Sequence, residues 1–465
     1  MRYVSTRGEA PSVDFVEALL GGLAPDGGLY VPETWPAVPP ERIADFARRP
    51  YAEVAAHILG RFVDGAFDAG VIERLCDQAY ATFTHAAVAP LVQLAPGRFL
   101  LELFHGPTLA FKDVAMQLLA RLYDHALAER GRVLTIVCAT SGDTGGAAVE
   151  AFAGRVNARI VALFPEGRVS DVQRRFMTTS TATNVRAVAV AGDFDDCQAI
   201  LKSLFQDQAF ARAVDLSAVN SINFARIVAQ IVYYFTAASS LGAPGRTVSF
   251  AVPTGNFGDA YAGYAARAMG LPISRILIAT NSNDIMARAL RDGDYRRGAA
   301  VATQSPAMDI QVASNFERLY FEGAGRDAAA TAAAFREFAA AGALVVAPPV
   351  HAFMRAVFEA VSVSEAQTEQ AMRATLKNTG EIIDPHTAVA VAGGDLVWSG
   401  VRETPLITLS TAHAAKFPEA VLAATGVAPA PPRASRALAD KTEHFDRLPA
   451  DADAVKAYVR AFVAA

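Results

Sequence analysis

The chain has 465 residues, 52% of them hydrophobic, which suits a large buried core in two or three units and excludes a mainly disordered protein. With 42 Lys+Arg against 47 Asp+Glu the net charge is −5, and no basic tail offsets it, so a nucleic-acid partner is not expected. Cys76, Cys138 and Cys197 lie far apart, which argues against a disulfide framework or zinc motif and fits a reducing compartment. Residues 1–85 mix turn signals (Asp26-Gly27-Gly28, Pro39-Pro40) with helical periodicity, as from Phe62 to Tyr80. Glu9, Asp14 and Glu17 interrupt the place where a signal peptide would be apolar. No run reaches the about 18 apolar residues of a membrane span. A cytoplasmic protein with no membrane partner is expected.

From about residue 86 short apolar runs alternate with helical periodicity, the pattern of a parallel sheet with crossover helices. Val133–Ala139, Arg159–Phe164, Val185–Val190, Thr247–Val252 and Arg275–Thr280 read as buried strands, with helices opening at Ala147 and Ala260. Phe224, Ile227, Val228, Ile231 and Phe235 share one face of a helix that begins near Asn223. Residues 284–345 are more charged and read as a helical insertion, and Leu344–Ala347 and Leu406–Ser410 read as late strands. A Pro-rich linker, Pro429–Pro432, leads to a C-terminal helix at Ala452–Val463. The class is α/β, with units at 1–85, 86–425 and 426–465 and a smaller subdomain at about 135–240. Ligands of such sheets sit beyond the carboxyl ends of strands, so chemistry is sought in the turns that follow them.

Three such turns stand out. Thr254-Gly255-Asn256-Phe257-Gly258-Asp259 follows a strand and opens a helix, where converging N–H groups and the helix dipole would hold a phosphate; an ordinary tight turn is the alternative. Its glycine spacing fits neither the Walker A loop nor the dinucleotide fingerprint. Ala139-Thr140-Ser141-Gly142-Asp143-Thr144-Gly145-Gly146 has the same placement and could take a carboxylate, or could simply cap a helix. His105-Gly106-Pro107-Thr108-Leu109-Ala110-Phe111-Lys112-Asp113 places Lys112 at a helix start among apolar neighbours. Both features favour the neutral amine that a carbonyl-condensing lysine needs, although an exposed lysine at a surface-accessible helix start is the plain alternative.

The Pro107–Asp113 string resembles the lysine motif of pyridoxal-phosphate (PLP) enzymes of the tryptophan-synthase-β type, fold type II. The fuller His105–Asp113 string, Ser141–Gly145 and Gly255–Asp259 resemble the threonine synthase family. So do Tyr3–Gly8, Asp26–Pro32, Asn220–Asn223, Ser305–Ile310, Ser314–Arg318, Asp384–Ala388 and Ser410–His413, in order along residues 3–418. The N-terminal motifs and residues 305–318 are similar to the long form of that family. One departure is Ala414, where the family commonly has proline after the histidine.

The resemblance implies two open, twisted, mostly parallel sheet domains with the cofactor between them, plus an N-terminal domain and a helical insertion. It implies conversion of O-phospho-L-homoserine and water to L-threonine and phosphate with pyridoxal 5'-phosphate. Lys112 would carry the cofactor and act as base. Gly255, Asn256, Phe257, Gly258 and Asp259 would cradle its phosphate, with Gly255 required because a Cβ would intrude on that phosphate. Thr411 would face the ring nitrogen, and Asp143 would stand beside the 3-oxygen, where relatives often carry Asn. Ser141, Gly142 and Thr144 would take the substrate carboxylate. Asn220, Ser221 and Arg226 would take the substrate phosphate, since a guanidinium fork with an amide and a hydroxyl suits it; a helix cap with a surface arginine is the alternative. No metal is expected, because the eight histidines show no ligand spacing. A monomer is expected, and, with no long extension before Tyr3, no activation by S-adenosylmethionine. A dehydratase of the same fold and a non-catalytic metabolite-binding module are the competing readings, the second disfavoured by an intact lysine and loop.

Overall fold

Apolar runs without polar alternation demand burial on both faces, and the chain meets this by laying helices over both sides of two mainly parallel sheets. The computed structural model describes residues 1–398 and 403–464. The sheet strands are β1 (Leu91–Ala95), β2 (Arg98–Glu102), β3 (Leu134–Ala139), β4 (Ala158–Pro165), β5 (Val185–Ala191), β6 (Leu216–Ser217), β7 (Val248–Pro253), β8 (Ile273–Thr280), β9 (Phe358–Ser362), β10 (Leu406–Ser410) and β11 (Asp446–Pro449). Six form one sheet in the order β9-β8-β7-β10-β2-β1, parallel except for the β1–β2 hairpin. The other five form an all-parallel sheet in the order β11-β5-β4-β3-β6. Every residue of β7 is buried, as a central strand covered on both faces requires.

The helices that matter for the site are α1 (Tyr51–Val63), α2 (Ala69–Tyr80), α3 (Lys112–Glu129), α4 (Asp143–Phe152), α5 (Asp171–Thr178), α6 (Phe224–Ser240), α7 (Gly258–Ala268) and α8 (Ala452–Ala464). Helix α6 is buried nearly all round, because α1, α3 and α7 pack against it. The first strand, Tyr3–Ser5, pairs antiparallel with Tyr30–Pro32, and Tyr3 donates to the Phe62 carbonyl at 2.9 Å. The N-terminal segment is thereby tied to α1 and, through it, to the core.

Several elements differ from the sequence reading. The helical pattern from Phe62 to Tyr80 is two helices, because Asp64 (φ 32°) and Gly65 (φ 79°) turn the chain left-handed between α1 and α2. Helix α4 opens at Asp143 instead of Ala147, with Gly145 and Gly146 inside it. They serve packing there: a Cβ on Gly145 would lie 2.4 Å from Thr140 Cγ2. The late strand expected at Leu344–Ala347 is Ala343–Val345, which pairs with Asp294–Arg296 in a separate two-stranded ribbon. The C-terminal segment is more than a linker and helix. Its strand β11 joins the five-stranded sheet beside β5, and α8 buries Val455 and Val459 against the same sheet's core.

Glu443, just before β11, fastens this segment to α5. Its carboxylate accepts from Arg174 Nε at 2.9 Å and Nη2 at 3.1 Å and from the Thr178 hydroxyl at 2.7 Å. The Arg174 bonds outweigh partial burial and hold its carboxyl down at about 2, against about 4.5 for a free glutamate. A group depressed on folding stabilises fully above the unfolded value and loses that contribution as pH falls through the folded value. Wild type is therefore expected to resist urea better than Glu443→Gln near neutral pH. The difference in midpoint should shrink from about pH 4.5 downward and vanish near pH 2. Urea titrations of both proteins along a pH series test this.

Candidate active site

The starts of α3, α4 and α7 and the residues after β10 meet between the two sheets. The loop before α3 is shaped from within. Asp113 Oδ2 accepts from the Thr108 N–H and Oδ1 from the Thr108 hydroxyl, each at 2.7 Å. A Cβ on Gly106 would lie 2.4 Å from Asp113 Cβ, so the loop closes only over glycine. Leu109 is left at φ 62°, a strained value for a residue with a side chain. Burial pushes the Asp113 carboxyl up to about 6 despite its bonds.

Lys112 then enters the cleft. Its side chain is only 11% exposed, so the helix start is not the surface position that the sequence allowed. The amine makes no hydrogen bond among the described residues: Asp143 Oδ2 stands at 3.8 Å and the Phe111 ring centre at 5.1 Å. Burial lowers the Lys112 pKa; Lys416 and Arg226 lower it further, while Asp143 and Asp113 oppose.

Asp143 is the anion of the cleft. Its Oδ1 accepts from Lys416 Nζ at 2.7 Å and from Gln173 Nε2 at 2.9 Å. Burial alone would raise this carboxyl; the Lys416 and Lys112 charges and these bonds overcome it and hold the group well below the usual carboxylate range. Lys416 was not singled out in the sequence. Its ammonium also donates to the Thr108 carbonyl at 2.8 Å and lies 5.4 Å from the centre of the Phe176 ring.

In the loop before α4, Thr140 Oγ1 accepts from the N–H of Gly142 at 2.9 Å and of Gly145 at 2.8 Å. The Gly142 N–H is thus already used, whereas those of Asp143 and Thr144 have no acceptor among the described residues. Gly142 sits at φ 133°, and a Cβ there would meet the Gln173 amide at 2.6 Å. Ser141 and Thr144 border the same loop and are half-buried.

The turn after β7 has Phe257 at φ 63° and no side-chain cap on α7. The N–H groups of Asn256, Phe257, Gly258 and Asp259 have no acceptor among the described residues. Four free donors at a helix start form an anion cradle. The Asp259 carboxylate faces away from the turn, to the hydroxyls of Tyr233 and Tyr234 on α6, and burial raises it to about 6. Only its main chain joins the cradle. Gly255 has a different constraint from the one expected: a Cβ there would lie 2.9 Å from the Ala307 carbonyl oxygen.

Thr411 follows β10, and its carbonyl accepts from the Phe111 N–H at 2.8 Å, which fixes it beside Lys112. Its hydroxyl has no partner among the described residues. Arg226 lies on the first turn of α6, fully interior. It donates to the Val219 carbonyl at 3.3 Å, and its Nε is buried without a partner. Burial lowers its pKa to about 10. Among the described residues neither Asn220 nor Ser221 hydrogen-bonds to it: exposed Asn220 accepts from the Ile222 N–H, and Ser221 faces Ser314 at 3.0 Å. The histidines inside motifs are held by neighbours, His105 by Glu102 and His386 by Asp384, each at 2.7 Å. Among the described residues no side-chain group is arranged to hold a metal ion.

Pyridoxal phosphate fits these features. It needs a free amine, a phosphate cradle and a group for the ring nitrogen, and Lys112, residues 256–259 and Thr411 offer unpartnered atoms for each. The family model of pyridoxal-phosphate dependent enzymes matches residues 84–400, and with two open parallel sheets this makes the chain a PLP enzyme of fold type II. Models of the threonine synthase N terminus and C-terminal region match residues 2–80 and 387–459. The chain belongs to the threonine synthase family. A threonine synthase of Pseudomonas aeruginosa is 48% identical over 460 residues, spanning 99% of this chain and 98% of that one. The crystal structure of PLP-bound threonine synthase from Brucella melitensis is 50% identical with a TM-score of 0.97 over all of both chains. Yeast threonine synthase is 36% identical, with a TM-score of 0.93 over 100% of this chain and 99% of that one. A tomato threonine deaminase, 14% identical over 87% of this chain and 92% of its own at a TM-score of 0.51, shares the fold alone.

Because a Gly255 side chain would strike the Ala307 carbonyl, Gly255→Val is expected to displace the 305–308 segment and disturb the cradle together. The variant should retain less PLP on dialysis and melt at lower temperature. Unchanged PLP retention would remove the turn from the cofactor site.

Proposed function

We propose that this chain converts O-phospho-L-homoserine and water to L-threonine and phosphate, by γ-elimination and β-addition of water. The observation that carries this reading is Arg226, a buried cation with an unpartnered Nε close enough to Lys112 to lower its pKa. A phosphorylated substrate would give that guanidinium the acceptor it lacks. Bound PLP would supply the electron sink that acidifies the substrate's Cα and Cβ protons.

The residues divide the remaining work. Lys112, once its amine is free, takes the Cα proton and returns it. Arg226 holds the phosphate that leaves Cγ, and its positive charge stabilises the departing dianion. The free N–H groups of Asp143 and Thr144, with the Ser141 hydroxyl, orient the substrate carboxylate. Asn220 and Ser221 would join the substrate phosphate only if they turned from their present partners. One Cβ proton is lost as the phosphate leaves, Cγ gains a proton to become the methyl group, and water then adds at Cβ, its oxygen bonding carbon and its remaining proton leaving with the hydrogen phosphate. The N–H groups of residues 256–259 keep the cofactor phosphate apart from the substrate phosphate, so two phosphates bind two separate cradles.

We also place the enzyme in the cytoplasm as a monomer. Three free, buried cysteines suit a reducing compartment, and within one chain Arg7–Glu317 and Arg318–Tyr30 contacts tie the N-terminal segment to the site's brace. No helix among the described residues is long and apolar enough to cross a membrane.

Two variants test the reading. Lys112→Ala should abolish turnover and the visible absorbance of the protein with PLP, while circular dichroism remains that of the wild type. Arg226→Ala should keep that absorbance but lower kcat/KM for phosphohomoserine. Loss of a buried charged contact costs about 2–5 kcal/mol, or about 30-fold to several thousand-fold. Arg226→Lys should recover only part, since an ammonium lacks the planar fork. An analogue without the phosphate should bind wild type and Arg226→Ala alike. Equal loss of both ligands would make Arg226 structural, and 2-oxobutanoate in place of threonine as product would point to a dehydratase.

A further inference from the structure

Lys416 is 1% exposed and fully engaged: two bonds to Asp143 Oδ1 and the Thr108 carbonyl, and the Phe176 ring as a third neighbour. Two acceptors and a ring surround the ammonium, and water scarcely reaches the side chain. Its backbone is pinned too, since the Ser170 hydroxyl donates to the Lys416 carbonyl at 3.2 Å. A lysine held this way is a fixed partner for the carboxylate. Its effect falls on Asp143, whose Oδ1 it shares with Gln173 while Oδ2 faces Lys112 at 3.8 Å, beyond hydrogen-bond reach.

We propose that Lys416 is a positioning residue that captures Asp143, prevents that carboxylate from closing on Lys112, and so leaves the Lys112 amine free to condense with an aldehyde. The inference rests on the reading of Lys112 as the cofactor-carrying lysine. Condensation forms a C=N bond and expels the aldehyde oxygen as water, and it starts from the nitrogen lone pair that an ammonium lacks. In a dry cleft, a carboxylate with no other partner would bind the nearest ammonium tightly and keep it protonated. Lys416 stands in for Lys112 in that pairing. The charged groups around Lys112 are Asp113 on its own helix, Asp143 on α4, Arg226 on α6 and Lys416 after β10. Of these only Lys416 both repels a proton on Lys112 and occupies its anion.

The test reads the Lys112 amine directly. The full-length protein, freed of PLP with hydroxylamine, is labelled with a trace of acetic anhydride along a pH series, and the Lys112 peptide is quantified by mass spectrometry. Lys416→Met should raise the labelling midpoint of Lys112 by about one pH unit or more, which is about tenfold less free amine at any pH below the midpoint. Lys416→Gln keeps a donor for Asp143 without the charge and should shift it in the same direction. Lys416→Arg should stay near wild type, and adding Asp143→Asn to Lys416→Met should bring the midpoint back down. Circular dichroism confirms folding; if Lys416→Met does not fold, Lys416→Gln decides. An unchanged or lowered midpoint in the folded charge-removing variant overturns the role of Lys416. The labelling does not involve PLP, so that failure is distinct from failure of the cofactor reading, which Lys112→Ala would expose by still capturing PLP.

Discussion

One buried carboxylate organises the cleft. Three cations, Lys112, Lys416 and Arg226, are withdrawn from water within reach of one another, and each would be expelled or neutralised if left alone. Asp143 makes the arrangement possible by pairing fully with Lys416 and only loosely with Lys112. The sharing is unequal in distance: Lys416 Nζ lies 2.7 Å from Asp143 Oδ1, and Lys112 Nζ 3.8 Å from Oδ2. Among the described residues Arg226 pairs with no carboxylate, and that deficit is what a phosphate would fill.

Holding one anion between two lysines requires three segments distant in sequence to arrive at Lys112 on α3. Helix α4 brings Asp143, the stretch after β10 brings Lys416, and the N-terminal turn of α5 brings Gln173, itself fixed by a reciprocal cap with Ser170. The parallel sheets supply the scaffold, because their strands end side by side and deliver successive helix starts to one edge. The loops that do so are strained. Leu109 and Phe257 both adopt left-handed backbone angles without being glycine, a cost of about 1–2 kcal/mol each. Neighbours enforce them: His413 N–H donates to the Leu109 carbonyl at 3.0 Å, and Asn315 clamps the Asn256 carbonyl through both its N–H and its side-chain amide at 3.1 Å.

The segment 314–318 is the brace behind the cradle. Ser314 reaches both Ser221 and Asn256, and Arg318 donates to the carbonyls of Tyr30 at 2.9 Å and Ile222 at 2.6 Å. Glu317 pairs with Arg7 at 2.9 Å and accepts from the Thr6 hydroxyl at 2.7 Å. The N-terminal strands, the turn before Arg226 and the turn after β7 are thus joined by one polar network, which ties motifs far from the lysine to its surroundings. At the other end, Glu443 ties the C-terminal strand to α5 through Arg174, the residue after Gln173, which itself bonds Asp143.

Much of this was legible before any coordinates. Uninterrupted apolar strands announce buried parallel sheets, and glycine-rich turns after strands announce helix starts, because each is a local pattern with a local cause. What sequence alone left open was pairing over distance. Lys416 looked like any lysine after a strand, and nothing near it in the chain names Asp143 as its partner. Asp259 lay inside a phosphate motif, yet its carboxylate turned to two tyrosines on another helix. The resemblance groups Asn220 and Ser221 with Arg226, and their present hydrogen bonds run to Ile222 and Ser314, contacts that no motif names. Strand β11 was hidden in a polar stretch because an edge strand needs little hydrophobicity, and its place was set by the exposed edge of β5. The sequence by itself determined the fold class and the family, since these rest on periodicity and contiguous motifs. The tertiary structure alone decided which buried charge meets which, because electrostatic pairing in a dry cleft depends on distances of a few ångströms between residues hundreds of positions apart.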